Sequence, residues 1–260
     1  MLRRHIMDGI VMSAHTAHTP DYWTSIHRPI VAFDRVLGEG IPSDGSDHEQ
    51  GGRLIADLLI RTGAHHVVMI GGPRDQFFDL AARGEVEDVF DLEKTTFPTV
   101  RYYLTLEQEL MKAGIRYEYV EAGEVMDFDG YRRAVGETLD RVGPDGVDAV
   151  VSSDIGASFC VREALRRGIA IPQDLQIVAY DGTYLTDLAG MKTTAVVQDF
   201  VAITQTVADH ITQAIPDEDA AAAKASLRKD DNPFEPSVLI PVTLALGDTT
   251  PAASAAPHPP

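Results

Sequence analysis

Between Ala149 and Gln198 an apolar strand ends in Ser152-Ser153-Asp154 and leads through a helix into Gly168-Ile-Ala-Ile-Pro172-Gln-Asp174. A second apolar strand then ends in Tyr180-Asp181-Gly182, and Thr193-Thr194-Ala-Val-Val-Gln198 follows. Each strand delivers a carboxylate at its C-terminal end, where parallel α/β sheets bind ligands. Short, near-continuous apolar runs form strands buried on both faces, and the helices between them supply the cover. The alternation begins upstream: Gly9–Ser13 and Pro29–Asp34 read as buried strands. Glu49 to Gly63 carries Leu54, Ile55, Leu58 and Leu59 on one helical face, with Gly63 as its C-cap. His66–Gly72 is a strand entering a glycine turn, and Tyr117–Val120 leads into a helix over Gly130–Val142. Val147–Ser152 leads into a helix over Ile155–Arg167, and Leu175–Tyr180 into a loop. Strands alternating with helices predict an α/β, doubly wound parallel sheet.

Three stretches leave this pattern. Arg74 to Val100, acidic through Glu85, Glu87, Asp88, Asp91 and Glu93, reads as a solvated insertion. Asp217 to Pro236 reads as a surface connection, and residues 248–260, rich in Pro and Ala, as a disordered tail. A chain of 260 residues with 44% apolar content can bury one or two α/β cores without disulfides or metals. The single cysteine, Cys160, permits no intramolecular disulfide and fits a reducing cytoplasm. No stretch approaches a membrane span, and the start has no apolar export segment, so neither membrane insertion nor secretion is expected. A formal charge of -18, with 22 scattered Lys and Arg, repels phosphate backbones, so this chain alone is expected to bind DNA poorly.

There is no Gly-x-Gly-x-x-Gly, phosphate loop or Gly-x-Ser-x-Gly elbow. His5, His15, His18 and His27 lack a matched second pair for a metal, and His65-His66 at a strand start reads as structural. No cofactor, no metal and no catalytic activity are therefore expected. A hydrolase pairing Asp34 with Asp181 has chemical precedent, but nothing in the sequence gives either one a raised-pKa environment.

The ordered motifs together resemble the effector-binding core of the lactose-repressor/galactose-repressor (LacI/GalR) family of transcription regulators, which shares its fold with periplasmic sugar-binding proteins. The match runs through Met7-Asp8-Gly9-Ile-Val-Met-Ser13, Arg28-Pro29-Ile-Val-Ala-Phe-Asp34-Arg35 and Ser46-Asp47-His48-Glu-Gln-Gly51-Gly52-Arg53. It continues through Ser152-Ser153-Asp154, Gly168 to Asp174, Val178-Ala-Tyr180-Asp181, Thr193-Thr194 with Gln198, and Val238 to Leu244. The resemblance implies a two-lobe, periplasmic-binding-protein-like fold (type I), each lobe a doubly wound sheet with helices on both faces. Three crossovers, near Asp47, near Gln198 and before Val238, would join the lobes, and a sugar or related metabolite would lie in the cleft. One lobe, 1–46 plus 199–236, is expected to be incomplete; the other takes 47–198 plus 237–247. After Asp199, Phe200, Ile203, Val207 and Ile211 form an apolar stripe that would complete the first lobe. Ligand closing the lobes would control operator binding in the intact protein, as a homodimer. The family's helix-turn-helix headpiece, hinge helix and first strand–helix–strand have no counterpart here, so DNA would be reached only through a headpiece missing from this chain. The alternative is a free-standing solute-binding protein of sugar transport with the same fold.

Ionised carboxylates accept paired hydroxyl hydrogen bonds strongly, which makes Asp34 and Asp181 the leading ligand candidates. The competing roles are turn or N-cap aspartates, and for Asp154 the N-cap role is the expectation. Ser13 and Ser153 offer neutral hydrogen bonds, and Gln198 a contact from the crossover. Phe33 and Phe200 are sugar-stacking candidates for which core packing is the competing role. The resemblance implies a ligand arginine, for which Arg101 is the nearest counterpart, with Tyr102 as the alternative in that register. Where the family commonly has Asn, this chain has Ser153.

Overall fold

The computed structural model describes residues 8–13, 22, 25–26, 28–37, 40–73, 99–123, 127–215 and 238–252. The expected acidic insertion up to residue 98, the connection at 217–236 and the N-terminal histidines His5, His15, His18 and His27 lie outside the described residues. The chain divides into two compact units, with changes of unit, among the described residues, at Asp47/His48, Val100/Arg101, Gln198/Asp199 and Pro241/Val242.

In the larger unit six strands lie in the order β10-β8-β7-β6-β4-β5. They are β4 (His66–Gly71), β5 (Arg116–Glu121), β6 (Ala149–Ser153), β7 (Gln176–Asp181), β8 (Thr194–Val197) and β10 (Thr243–Ala245). All neighbours are parallel except β10, which runs antiparallel to β8. The chain passes from β4 outward to β5 and returns to the other side of β4 with β6, so the order reverses there. A parallel sheet opens its ligand crevice at such a reversal, beyond the strands' C-terminal ends.

Helices cover both faces because both faces are apolar. Helices α1 (His48–Arg61) and α2 (Val100–Lys112) bury Ile55, Leu58, Leu59, Leu106 and Leu110 against Met69, Val151, Val178 and Val196. Helices α3 (Phe128–Leu139) and α4 (Asp154–Arg167) bury Tyr131, Val135, Cys160 and Val161 against Ile70, Val150, Ile177 and Ala179. Each such aliphatic side chain taken out of water contributes about 1.5–3 kcal/mol.

The smaller unit has a parallel four-stranded sheet, β1-β2-β3-β9, made of β1 (Ile10–Met12), β2 (Ile30–Phe33), β3 (Ser43–Ser46) and β9 (Val238–Ile240). Helix α5 (Phe200–Ala214) packs Ile203 and Val207 on Val31. The stripe is shorter than expected, since Phe200 is 41% exposed and stands outside that cluster, while Phe33 packs against it. Among the described residues α5 is the helix of this sheet.

Two further expectations are corrected. Residues 237–247 are not one strand of the larger unit: Val238–Ile240 pairs with β3, and beyond Pro241 the segment Thr243–Ala245 pairs with β8. The tail is ordered at its start, because Thr249 is fully buried and its hydroxyl donates to the Ile177 carbonyl at 2.6 Å while accepting from the Thr194 amide at 2.9 Å.

Candidate functional site

Apolar packing carries β7 straight through the core and releases it at Asp181, whose φ is +114°. Asp34, just past β2, has φ +50°, and these two are the positive-φ non-glycine residues among the described ones. A non-glycine residue persists in such a conformation only where its surroundings over-determine it, and strain of this kind concentrates at functional sites.

Gln198 and Asp154 restrain Asp181 and the residues after it. Gln198, 7% exposed, donates from its backbone N–H to the Asp181 carbonyl at 3.1 Å and from Nε2 to the carboxylate at 2.6 Å. On the following residues, the Asp154 carboxylate accepts from the amides of Gly182, at 3.1 Å, and Thr183. Burial raises the Asp154 pKa, and these hydrogen bonds oppose it. The N-cap role expected of Asp154 therefore belongs to Ser153, whose hydroxyl accepts from the Gly156 amide at 3.5 Å; Asp154 instead ties the loop after β7.

Tyrosines of the core lie close to Asp181. Burial raises the pKa of Tyr131 of α3, the neighbouring Ser153 side chain opposes the rise, and the Asp181 charge adds to it. The same carboxylate raises Tyr102 and Tyr103 of α2, for which desolvation is the largest cause. These phenols thus stay protonated at neutral pH beside the Asp181 carboxyl group. At the strand reversal, Ser152 donates to the Ile70 carbonyl at 2.7 Å, tying β6 to β4.

The structure brings Asp181, Gln198 and, through the register of Ser153 against Tyr180, Ser153 into one neighbourhood of the larger unit. Arg101, with a side chain only 12% exposed, is instead engaged by Glu49 at 3.1 Å. Asp34, Ser13 and Phe200 belong to the smaller unit. The Asp34 carboxylate lies directly over Gly45, leaving no space for a Cβ there, and its amide donates to the Asp44 carbonyl at 2.8 Å. Ser13 is exposed just past β1. Sequence reasoning missed Tyr103 and Tyr131; their signal, tyrosines on helical faces beside the strand ends, is the one ordinary core packing gives.

A model of the periplasmic binding protein-like domain matches residues 56–250. The chain belongs to that family. Its relatives include the sucrose operon repressor of Streptococcus mutans serotype c, 29% identical over 187 residues that cover 72% of this chain and 50% of the repressor. The ribose operon repressor of Bacillus subtilis is 27% identical over 174 residues, 66% of this chain and 46% of that protein. This periplasmic binding protein-like chain thus spans about half the length of such relatives. A periplasmic binding protein/LacI transcriptional regulator from Alkaliphilus metalliredigens, complexed with D-xylulofuranose, superposes with a TM-score of 0.68 at 19% identity, covering 94% of this chain and 78% of that one. A transcriptional regulator–cellobiose complex has a TM-score of 0.62 at 22% identity, covering 94% and 66%. These likenesses bear out the two-lobe, periplasmic-binding-protein-like fold class. Among the described residues no helix is long and apolar enough to cross a membrane, and no group of three metal-ligating side chains occurs.

Proposed function

We propose that this chain is the effector-binding part of a LacI-type transcription regulator of sugar metabolism, acting in the cytoplasm as a homodimer and reaching its operator through a DNA-binding part outside this sequence. The observation that carries this reading is the pair of positive-φ aspartates, Asp34 and Asp181, each at the C-terminal end of a parallel strand. Asp181, Gln198, Ser153 and Tyr131 are the proposed effector contacts, all within the larger unit. The chemistry supports a polyhydroxylated effector: a carboxylate accepts from vicinal hydroxyls, and amide and phenol groups supply the complementary donors. The repressors among the relatives support binding rather than catalysis.

The test is thermal unfolding in the presence of sucrose, ribose, cellobiose and xylulose. A sugar at about 100 times its Kd adds about 2.7 kcal/mol of stability, a shift of several degrees. Asp181→Asn keeps the shape, removes the charge and is expected to abolish most of that shift. A response of equal size in Asp181→Asn would refute the assignment, and silence with every sugar would refute the reading itself.

A further inference from the structure

We infer that His48 is a positioning residue for Asp181, acting through the ring of Tyr180. The inference rests on the reading of Asp181 as an effector contact, and its own evidence lies in the larger unit alone.

His48 opens α1 immediately after the first change of unit, and it is 1% exposed. A histidine sealed inside an apolar core has lost its water and must be satisfied internally. Its Nδ1 lies 2.7 Å from the Tyr180 hydroxyl, 132 residues away in sequence. Tyr180, itself 1% exposed, is fixed on every side. Its ring stacks on Tyr102 with centroids 3.8 Å apart and planes 5° from parallel. Its edge fills the space beside Gly51, where a Cβ would come within 2.7 Å of both Cε2 and the hydroxyl.

Tyr180 is the residue before Asp181. The unfavourable φ of Asp181 is restrained on its C-terminal side by Gln198 and Asp154. On its N-terminal side the restraint is the Tyr180 ring, and the polar anchor of that ring is His48. Tyr102, the stacking partner, also feels the Asp181 charge. The path His48–Tyr180–Asp181–Gln198 therefore begins at one change of unit and ends at another, with the candidate ligand carboxylate inside it. None of the sequence motifs assigns His48 a role, and plain helix packing requires no imidazole there.

The experiment compares His48→Leu, which removes the ring nitrogen, with His48→Asn, whose side-chain amide can donate or accept in place of Nδ1. In the effector-free protein, the side-chain amide of Gln198 is followed by NMR as a reporter of its hydrogen bond to Asp181. The expected result is a displaced Gln198 resonance in His48→Leu and its return in His48→Asn. A purely structural role would lower the melting temperature and leave that resonance in place, which overturns the inference. Should His48→Leu not fold, Tyr180→Phe removes the same hydrogen bond and is held to the same criterion. In parallel, calorimetric titration with sucrose, ribose and cellobiose is expected to show binding weakened about tenfold or more in His48→Leu, the cost of misaligning one charge-assisted hydrogen bond. If none of these sugars binds the unaltered protein, the effector reading fails, while the Gln198 resonance still decides the role of His48.

Discussion

Replacing Gly51 by alanine sets two effects of known size against each other. Gly51 lies inside α1, where alanine is the better helix former by about 1 kcal/mol. Against this, the new methyl would stand 2.7 Å from the Cε2 and hydroxyl of Tyr180, well inside van der Waals contact. The ring cannot step aside cheaply, because Tyr102 lies against its face and His48 holds its hydroxyl. Overpacking of a well-filled core costs about 1–3 kcal/mol, and a broken buried hydrogen bond about 1–3 more. The steric side wins, so Gly51→Ala is expected to be destabilised by about 1–5 kcal/mol, lowering the melting temperature by about 2–4 °C for each kcal/mol. Gly136→Ala in α3 is the control, since its methyl would meet only the Arg167 guanidinium at 3.6 Å and should gain up to about 1 kcal/mol. Thermal and urea unfolding of both variants give opposite signs if the reasoning holds. A Gly51→Ala protein as stable as Gly136→Ala would refute the claim that Tyr180 is clamped.

Asp44 gives a pH prediction. It is fully buried on β3, its Oδ2 lies 2.7 Å from His210 Nδ1 of α5, and its Oδ1 has no hydrogen-bond partner among the described residues. Burial raises its pKa and His210 opposes the rise. Because the folded value lies above the unfolded one, the stabilisation is complete below the ordinary carboxylate range and is lost as pH rises through the folded value. Asp44→Asn should flatten urea-measured stability across that window, and an unchanged slope would contradict it. Thr249→Ala strips partners from the Thr194 amide and the Ile177 carbonyl, and should cost about 1–3 kcal/mol in urea unfolding; a loss within 0.5 kcal/mol or so, the range usual for surface changes, would mean that water replaces the hydroxyl. Arg101→Ala removes a partly buried ion pair worth about 1 kcal/mol or less and should leave any sugar-induced thermal shift intact; loss of that shift would restore Arg101 as a ligand contact.

The larger sheet was legible because its strands carry their burial in their composition: Val67–Ile70, Val150–Val151 and Ile177–Ala179 are apolar on both faces, and both faces are covered. Strand β3 was not, for Ser43-Asp44-Gly45-Ser46 is wholly polar or small yet wholly buried, and no hydrophobic pattern marks it. Its burial is compensated by tertiary partners invisible in sequence, such as His210 for Asp44 and the Arg35 carbonyl for the Ser43 hydroxyl. The position of Asp181 at a strand end and of Gln198 just past one was readable in the sequence, whereas the pairing of His48 with Tyr180 joins positions 132 residues apart and left no local trace. The exchange of roles between Ser153 and Asp154 turns on which side chain the first turn of α4 faces, a matter of one residue in register.

The segment Val238–Ala245 sends one edge strand to each sheet, and Thr249 then stitches β7 to β8. On the ribosome, therefore, β3 waits with an open flank until nearly two hundred further residues have been made, and β8 waits likewise for its outer neighbour. Such distant closures slow folding and prolong the exposure of unpaired strands. Both sheets are finished by the same late stretch of polypeptide, so a nascent chain arrested before Val238 leaves each of them with a raw edge for chaperones to shield.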